Sequence, residues 1–299
     1  MEYSPGLRGV IAGETKISTV GMEGTSLRYR GYDAIKLTET HTYEDAASLI
    51  ISDDLDGSEF TNNFIKYYGE LTNDKDINKL FVEIKSRLHP MDVIRTVVSY
   101  IGDSDKNSDL ESTTKILAAV SYVIASYNDN DTSELDQEYT VASSMLSNKV
   151  STDELQALDD ILILYAEHGF NASTFATRVT ASTRSDLTSS IVSGIGTLKG
   201  ELHGGANERA VELINSFKDI NDAETGVLKM LKEKKKIMGF GHGVYKIQDP
   251  RSPVVKRWVE KLVSDDDSKL RFEIAKKIDE IMDKEKKLFP NVDFYGGLL

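Results

Sequence analysis

The chain has 299 residues, enough for one large domain or two ordinary ones, and its 39% apolar content permits a sizeable core. Its 49 acids and 36 bases give a net charge of −13, which disfavours nonspecific binding to nucleic acid or an anionic membrane. Cysteine is absent, which excludes disulfide scaffolds, thiolate zinc sites and cysteine nucleophiles.

In chain order, MEYSPGLRGV lacks a basic region followed by an apolar stretch, so no signal peptide is expected. No apolar run approaches the ~20 residues of a membrane-spanning helix, and a cytoplasmic globular protein is the default. Residues 8–32 contain β-branched stretches separated by Gly-Met-Glu-Gly, which predicts a short hairpin or two extended arms. Thr42 with Asp45 predicts a capping box that opens a helix through Ile51. Further helices are expected over 76–88, 90–101, 109–126, 134–147, 152–166, 172–196, 206–217, 223–233, 251–263 and 267–287. Pro90 and Pro250 fall at expected helix starts, the position a helix tolerates. LDDILILYAEHG is apolar nearly all round, as in a buried helix. Residues 102–108 and 128–133 read as acidic loops. The basic run LKEKKK, 231–236, is either a solvated helix end or a contribution to a phosphate-bearing ligand. Alternating strands and helices are missing, so an all-α fold is expected rather than a Rossmann fold or a barrel.

Five histidines occur. His41 precedes a helix cap and His89 precedes Pro90, both consistent with structural roles. His168 in AEHGFNAST, His203 in GELHGGANE and His242 in MGFGHGVYKIQDPRS each have a glycine within two residues, on loops at helix ends. Glycine lets a backbone approach a ligand closely, and a packing histidine needs no such flank. The spacing of the three carries no zinc signature: there is no HxH and no HExxH, so a zinc hydrolase is the weaker alternative. GFGHG lacks the strand and the glycine pattern of a dinucleotide loop, and no nucleophile elbow is present. At the start of the helix expected over 206–217, the helix dipole disfavours a charged His203. A neutral ring there is a donor for a carbonyl that turns into an enolate. Asp249 and Pro250 read as cap and first residue of the next helix, which puts the Arg251 cation near His242. Taken alone, Asp293 reads as a loop-capping residue after Pro290.

Together, GLRGVIAGETKIS, LRYRGYD, HPMDVIRTVVS, LILYAEHGFNASTFATRVTAST, LKGELHGGANE, MGFGHGVYKIQDPR and PNVDFYGG resemble the citrate synthase family, in its order and over essentially the whole chain. The resemblance implies an all-α, two-domain homodimer with a short N-terminal hairpin or extended arm. It divides the chain into a large helical domain over 1–204, a small helical domain over 205–290 and a return toward the large domain over 291–299. The small domain closes after oxaloacetate binds. The implied reaction condenses acetyl-CoA, a co-substrate, with oxaloacetate and hydrolyses the citryl thioester, with no metal and no tightly bound cofactor. By matching motifs, His203 donates to the thioester carbonyl and Asp293 removes the methyl proton. His242 donates to the oxaloacetate carbonyl, and His168 and Arg251 bind oxaloacetate. Gly239, Phe240 and Gly241 line the adenine end of CoA, and Lys246, with the 234–236 lysines, meets its phosphates.

Several positions depart from the family pattern. Glu201 replaces a usual proline and is expected to raise the pKa of His203; Gly243 replaces a frequent arginine and Gly296 a common serine. The segment before 145 is shorter than usual. The chain ends at Leu299, where the family continues with further helices and arginines, so a shortened chain with weak turnover is expected. The alternatives are a 2-methylcitrate synthase that uses propionyl-CoA and a non-catalytic relative that binds oxaloacetate without turnover.

Overall fold

Helices dominate the computed structural model, which describes residues 11–22, 26–102, 107–128, 140–146, 150–201 and 203–299. Among these residues there are 15 helices and one small sheet, as an all-α chain requires. The sheet has three antiparallel strands, β1 (Ser18–Val20), β2 (Leu27–Tyr29) and β3 (Tyr32–Asp33), with Val20 opposite Leu27. The expected hairpin therefore gains a third strand. The reason lies in Arg30 and Gly31, whose φ values of 48° and 93° make the two-residue turn that matches strand twist.

Asp33 ends the sheet and caps α1 (Ala34–Thr40) by accepting from the Ile35 and Lys36 N–H groups. The Thr42–Asp45 capping box opens α2 (Tyr43–Ser52) as expected. Then come α3 (Ser58–Thr72), α4 (Lys75–Ile84), α5 (Pro90–Ile101), α6 (Asp109–Tyr127) and α7 (Val141–Met145). Neither α1 nor α3 is among the expected helices. Yet α3 buries Phe60, Phe64, Tyr67, Tyr68 and Leu71, a helical stripe. Its aromatic content favours strands locally, and Gly57 supplies no side-chain cap to mark its start. Of the helix expected over 134–147, residues 141–145 are helical; 134–139 and 147 lie outside the described residues, as do 103–106 and 129–133 of the acidic loops.

The chain continues through α8 (Thr152–Tyr165), α9 (Ala172–Ser182) and α10 (Leu187–Leu198). The single helix expected over 172–196 is two. Arg184 takes φ 64°, and the Asp186 side chain accepts from the Ser189 N–H at 2.8 Å to start α10. The two helices fold back on each other, with the Gly194 backbone so close to Thr177 that no Cβ fits. The last group is α11 (Gly205–Asn215), α12 (Ile220–Lys232), α13 (Ser252–Leu262), α14 (Asp266–Lys286) and the short α15 (Val292–Gly296).

Three apolar clusters result. One lies among α3, α5 and α6, around Phe64, Val97 and Val123. A second lies among α11 to α15, around Ile214, Val255, Ile278 and Phe294. The third joins the sheet to α1, α2 and α8 through Leu27, Tyr29, Leu37 and Ile163. Helix α8 meets all three: Leu158 and Leu162 pack on the first, Leu164 belongs to the second and Ile163 to the third. That explains a helix apolar nearly all round. His168 follows its C-terminal end, three residues beyond Tyr165. Among the described residues, no helix is long and apolar enough to cross a membrane.

Tyr29 is fully buried and its hydroxyl donates to the Ile163 carbonyl at 2.8 Å, which fastens β2 to α8. Tyr29→Phe is expected to cost about 1 kcal/mol of unfolding free energy. Chemical denaturation measures this, and an unchanged midpoint would contradict the fastening role.

Candidate active site

After α8 the chain turns through His168 and Gly169, whose φ of 66° favours glycine. Asn171 then caps α9 by accepting from the Thr174 N–H at 3.0 Å. The His168 ring meets the loop between α12 and α13. Its centroid lies 5.0 Å from that of His242 and 5.5 Å from that of Tyr245, and its Nε2 is 3.3 Å from the Tyr245 hydroxyl. His242 Nδ1 accepts from the N–H groups of Val244 at 3.0 Å and Tyr245 at 3.1 Å. A nitrogen that accepts two N–H groups carries no proton, so in the neutral ring the proton sits on Nε2. Burial pushes His168 down to about 3, and the charges of Arg251 and His242 reinforce it. Burial also lowers His242; the nearby Asp249 opposes this and Arg251 supports it.

The Asp249–Arg251 segment corrects an expectation. Asp249 is not the N-cap of α13, which starts at Ser252, with Arg251 in the cap position and Pro253 in the first turn. Instead the fully buried Asp249 carboxylate accepts from Arg251 Nε at 2.9 Å and Nη2 at 2.8 Å, and from the backbone N–H groups of Arg251 and Val292 at 3.1 Å each. Burial works to raise the Asp249 pKa, but the guanidinium outweighs it and holds the carboxyl below the usual carboxylate range. Arg251 is only 6% exposed and lies 5.9 Å from the Tyr165 ring centroid and 6.0 Å from that of Tyr245. The ion pair occupies Nε and Nη2, which leaves Nη1 for an anion.

His203 sits just before α11. Its Nε2 accepts from the Ser173 N–H at 3.3 Å and lies 2.9 Å from the Ser173 hydroxyl. A backbone N–H can only donate, so the His203 proton sits on Nδ1. Asp293 lies in the first turn of α15, and its Oδ1 accepts from the Tyr165 hydroxyl at 3.1 Å. Burial raises the Asp293 pKa, against the Tyr165 hydrogen bond and the charges of Arg251 and His203. Burial lowers the His203 pKa, against the Asp293 charge. The two side chains are therefore electrostatic neighbours. Glu201 does not raise His203 as expected: its carboxylate is exposed and lies 3.9 Å from Arg209 Nη2.

The GFG backbone acts as a strap. The Gly241 N–H donates to the Phe289 carbonyl at 2.8 Å, and the Gly239 and Gly241 carbonyls accept from Asn291 at 2.9 and 3.1 Å. The Phe240 and Phe294 ring centroids are 4.5 Å apart. Gly239 takes φ 82°, and a Cβ there would meet Phe294 at 2.9 Å. These groups seat the segment that carries Asp293. Lys246 is exposed, and its ammonium donates to the Gly243 carbonyl at 2.8 Å. Gly243 faces open space. Lys235 pairs with Glu233 at 2.9 Å.

Tyr165, Ser173, Tyr245 and the ion-pairing role of Asp249 escape a sequence reading. Their signals are position alone: Tyr165 is three residues before His168 and Tyr245 three after His242. At Gly296, where the family often has serine, a Cβ would lie 3.0 Å from the Tyr165 hydroxyl. The assembled set offers two neutral imidazole donors, a buried guanidinium and a carboxylate with raised proton affinity. Such groups polarise carbonyls, hold a carboxylate and accept a proton from carbon. Among the described residues, no group of three or more His, Asp or Glu side chains is arranged to hold a metal.

The model of the citrate synthase C-terminal domain matches residues 6–299. A 2-methylcitrate synthase of Shewanella oneidensis is 40% identical over 97% of this chain and 81% of its own length. A citrate/2-methylcitrate synthase of Bacillus subtilis is 35% identical over 99% and 84%. The citrate synthase of Thermoplasma acidophilum, solved with carboxymethyl coenzyme A and oxaloacetate, superposes with a TM-score of 0.88 at 26% identity, covering 99% of this chain and 84% of that one. That of Thermotoga maritima gives 0.82 at 31%, covering 98% and 82%. The chain belongs to the citrate synthase family.

Proposed function

We propose that the chain condenses acetyl-CoA with oxaloacetate and releases citrate and CoA, as an enzyme of this family. The observation that carries the reading is the pairing of His203, a neutral donor protonated on Nδ1, with the half-buried carboxylate of Asp293. The methyl group of a thioester is a very weak acid. Asp293 takes its proton as the His203 Nδ1–H stabilises the forming enolate oxygen. The nucleophilic carbon then attacks the ketone of oxaloacetate. The developing alkoxide takes a proton from His242 Nε2, whose tautomer the Val244 and Tyr245 amides favour. Arg251 and His168 hold the oxaloacetate. Water finally cleaves the thioester. No step calls for a metal or a bound cofactor.

Closure of residues 205–290 over residues 1–204 belongs to the same proposal, and so does a homodimer. Helix α9 has no buried residue and exposes Phe175 and Val179, a face that a second copy would cover. A monomeric mass by light scattering would contradict the dimer.

A second reading, propionyl-CoA as the acyl donor, is favoured by the name of the Shewanella relative. Its chemistry is identical, and the ratio of kcat/KM for the two thioesters decides between them.

Asp293→Asn is expected to lower CoA release by about 10²–10⁴-fold while oxaloacetate still raises the melting temperature. Near-full turnover would remove Asp293 as the base. If the unaltered chain gives no CoA release but oxaloacetate still protects it, the protein binds without turnover. Arg251→Ala is expected to do more than weaken oxaloacetate binding. It strands Asp249 in the interior and should cost about 3–5 kcal/mol of stability, measured by denaturation. Loss of binding at unchanged stability would contradict the structural half of that role.

Turnover needs Asp293 ionised and both donor histidines neutral, so activity is lost as pH falls through the Asp293 pKa. The Tyr165 hydrogen bond lowers that pKa. Tyr165→Phe is therefore expected to move the acid limb of kcat/KM to higher pH. A limb that stays in place would show that the hydroxyl does not tune the base.

A further inference from the structure

The N-terminal sheet touches both loops that bear the oxaloacetate histidines. On one side, Glu167 Oε1 accepts from the Ser18 hydroxyl of β1 at 2.9 Å and from the Gly169 N–H at 2.5 Å. The second bond runs from residue 167 to residue 169 and closes a ring around the backbone of His168. On the other side, Gly21 ends β1 with φ 69°, and a Cβ there would lie 2.8 Å from the Val244 side chain and 3.6 Å from the Tyr245 ring. Val244 and Tyr245 are the residues whose amides hold His242 Nδ1. Val20 and Ser18 also lie within 4.0 Å of where a Gly169 side chain would begin. A three-residue strand thus meets the His168 turn, and the glycine that follows it lies against the His242 loop.

We infer that Glu167 is a positioning residue for oxaloacetate binding, which acts with Ser18 of the sheet to aim His168 at His242. This rests on the proposed assignment of the two histidines to oxaloacetate. The physical argument is one of preorganisation. His168 follows a helix end and precedes a left-handed glycine, so its backbone has no regular hydrogen-bonding pattern of its own. A carboxylate oxygen shared by the turn and the sheet supplies it. A ring displaced by about 1 Å loses much of its hydrogen-bond energy, because that energy falls steeply with distance and angle. Glutamine at 167 keeps an acceptor oxygen; alanine removes it.

The test is steady-state CoA release with KM measured separately for oxaloacetate and acyl-CoA, in Glu167→Ala, Glu167→Gln, Ser18→Ala and, as the reference, His168→Ala. Glu167→Ala is expected to raise the KM for oxaloacetate at least tenfold and to leave the KM for acyl-CoA within about twofold. Glu167→Gln should restore oxaloacetate binding to within about threefold. Ser18→Ala, which removes only the bond to the sheet, should give an intermediate rise, and it keeps the test open if Glu167→Ala fails to fold. An unchanged KM for oxaloacetate in Glu167→Ala or Ser18→Ala, with a raised one in His168→Ala, would overturn the positioning role and leave the site assignment standing. Equal rises in both KM values would also overturn it, as general damage. An unchanged KM in His168→Ala would instead overturn the underlying assignment.

Discussion

The buried pair of Asp249 and Arg251 organises everything around it. The Asp249 carboxylate holds the guanidinium and also takes the Val292 N–H, one residue before Asp293. One side chain thus fixes the cation and the segment that bears Asp293. The Arg251 charge in turn lowers the pKa of His168, His242 and Asp293. Burial does most of the lowering at both histidines; Asp249 opposes it, and at His242 its charge outweighs that of Arg251. Two imidazoles 5.0 Å apart stay neutral there, each with a free role as donor or acceptor.

Backbone groups complete that work. The Val244 and Tyr245 amides set the His242 tautomer, and the Ser173 amide sets that of His203. The Gly239–Gly241 strap seats Phe289 and Asn291, and with them Asp293. Glycine at 239 follows from geometry: a side chain there would strike Phe294. Gly239 is therefore needed for packing of the chain on itself, whereas Gly243 beside His242 faces open space.

The sequence shows some of this and hides the rest for physical reasons. Helix α8 is legible because a helix shared by three apolar clusters must be apolar on most faces. The three loop histidines stand out because their glycine flanks have no packing purpose in a helix. Helix α3 is hidden because its start has no capping side chain and its buried stripe is aromatic. The break between α9 and α10 is hidden because Arg184 adopts a left-handed conformation that no residue type announces. Asp249 is visible but misread: Asp before Pro has the pattern of a helix cap, and only the fold shows that the carboxylate turns inward to Arg251. Tyr165 and Ser173 act through contacts with residues 128 and 30 positions away, which no local pattern encodes. Glu201 teaches the converse, since nearness in sequence to His203 puts its charge beside Arg209 instead.

The central claim is that burial keeps His168 and His242 neutral, aided at His168 by the Arg251 charge, with the His242 proton on Nε2. Nitrogen-15 NMR of the labelled histidine rings, followed from neutral to mildly acidic pH, measures it directly. The account predicts a bare Nδ1 and a protonated Nε2 on His242, and a His168 ring that stays neutral to pH 5. An imidazolium at either residue at neutral pH would contradict it.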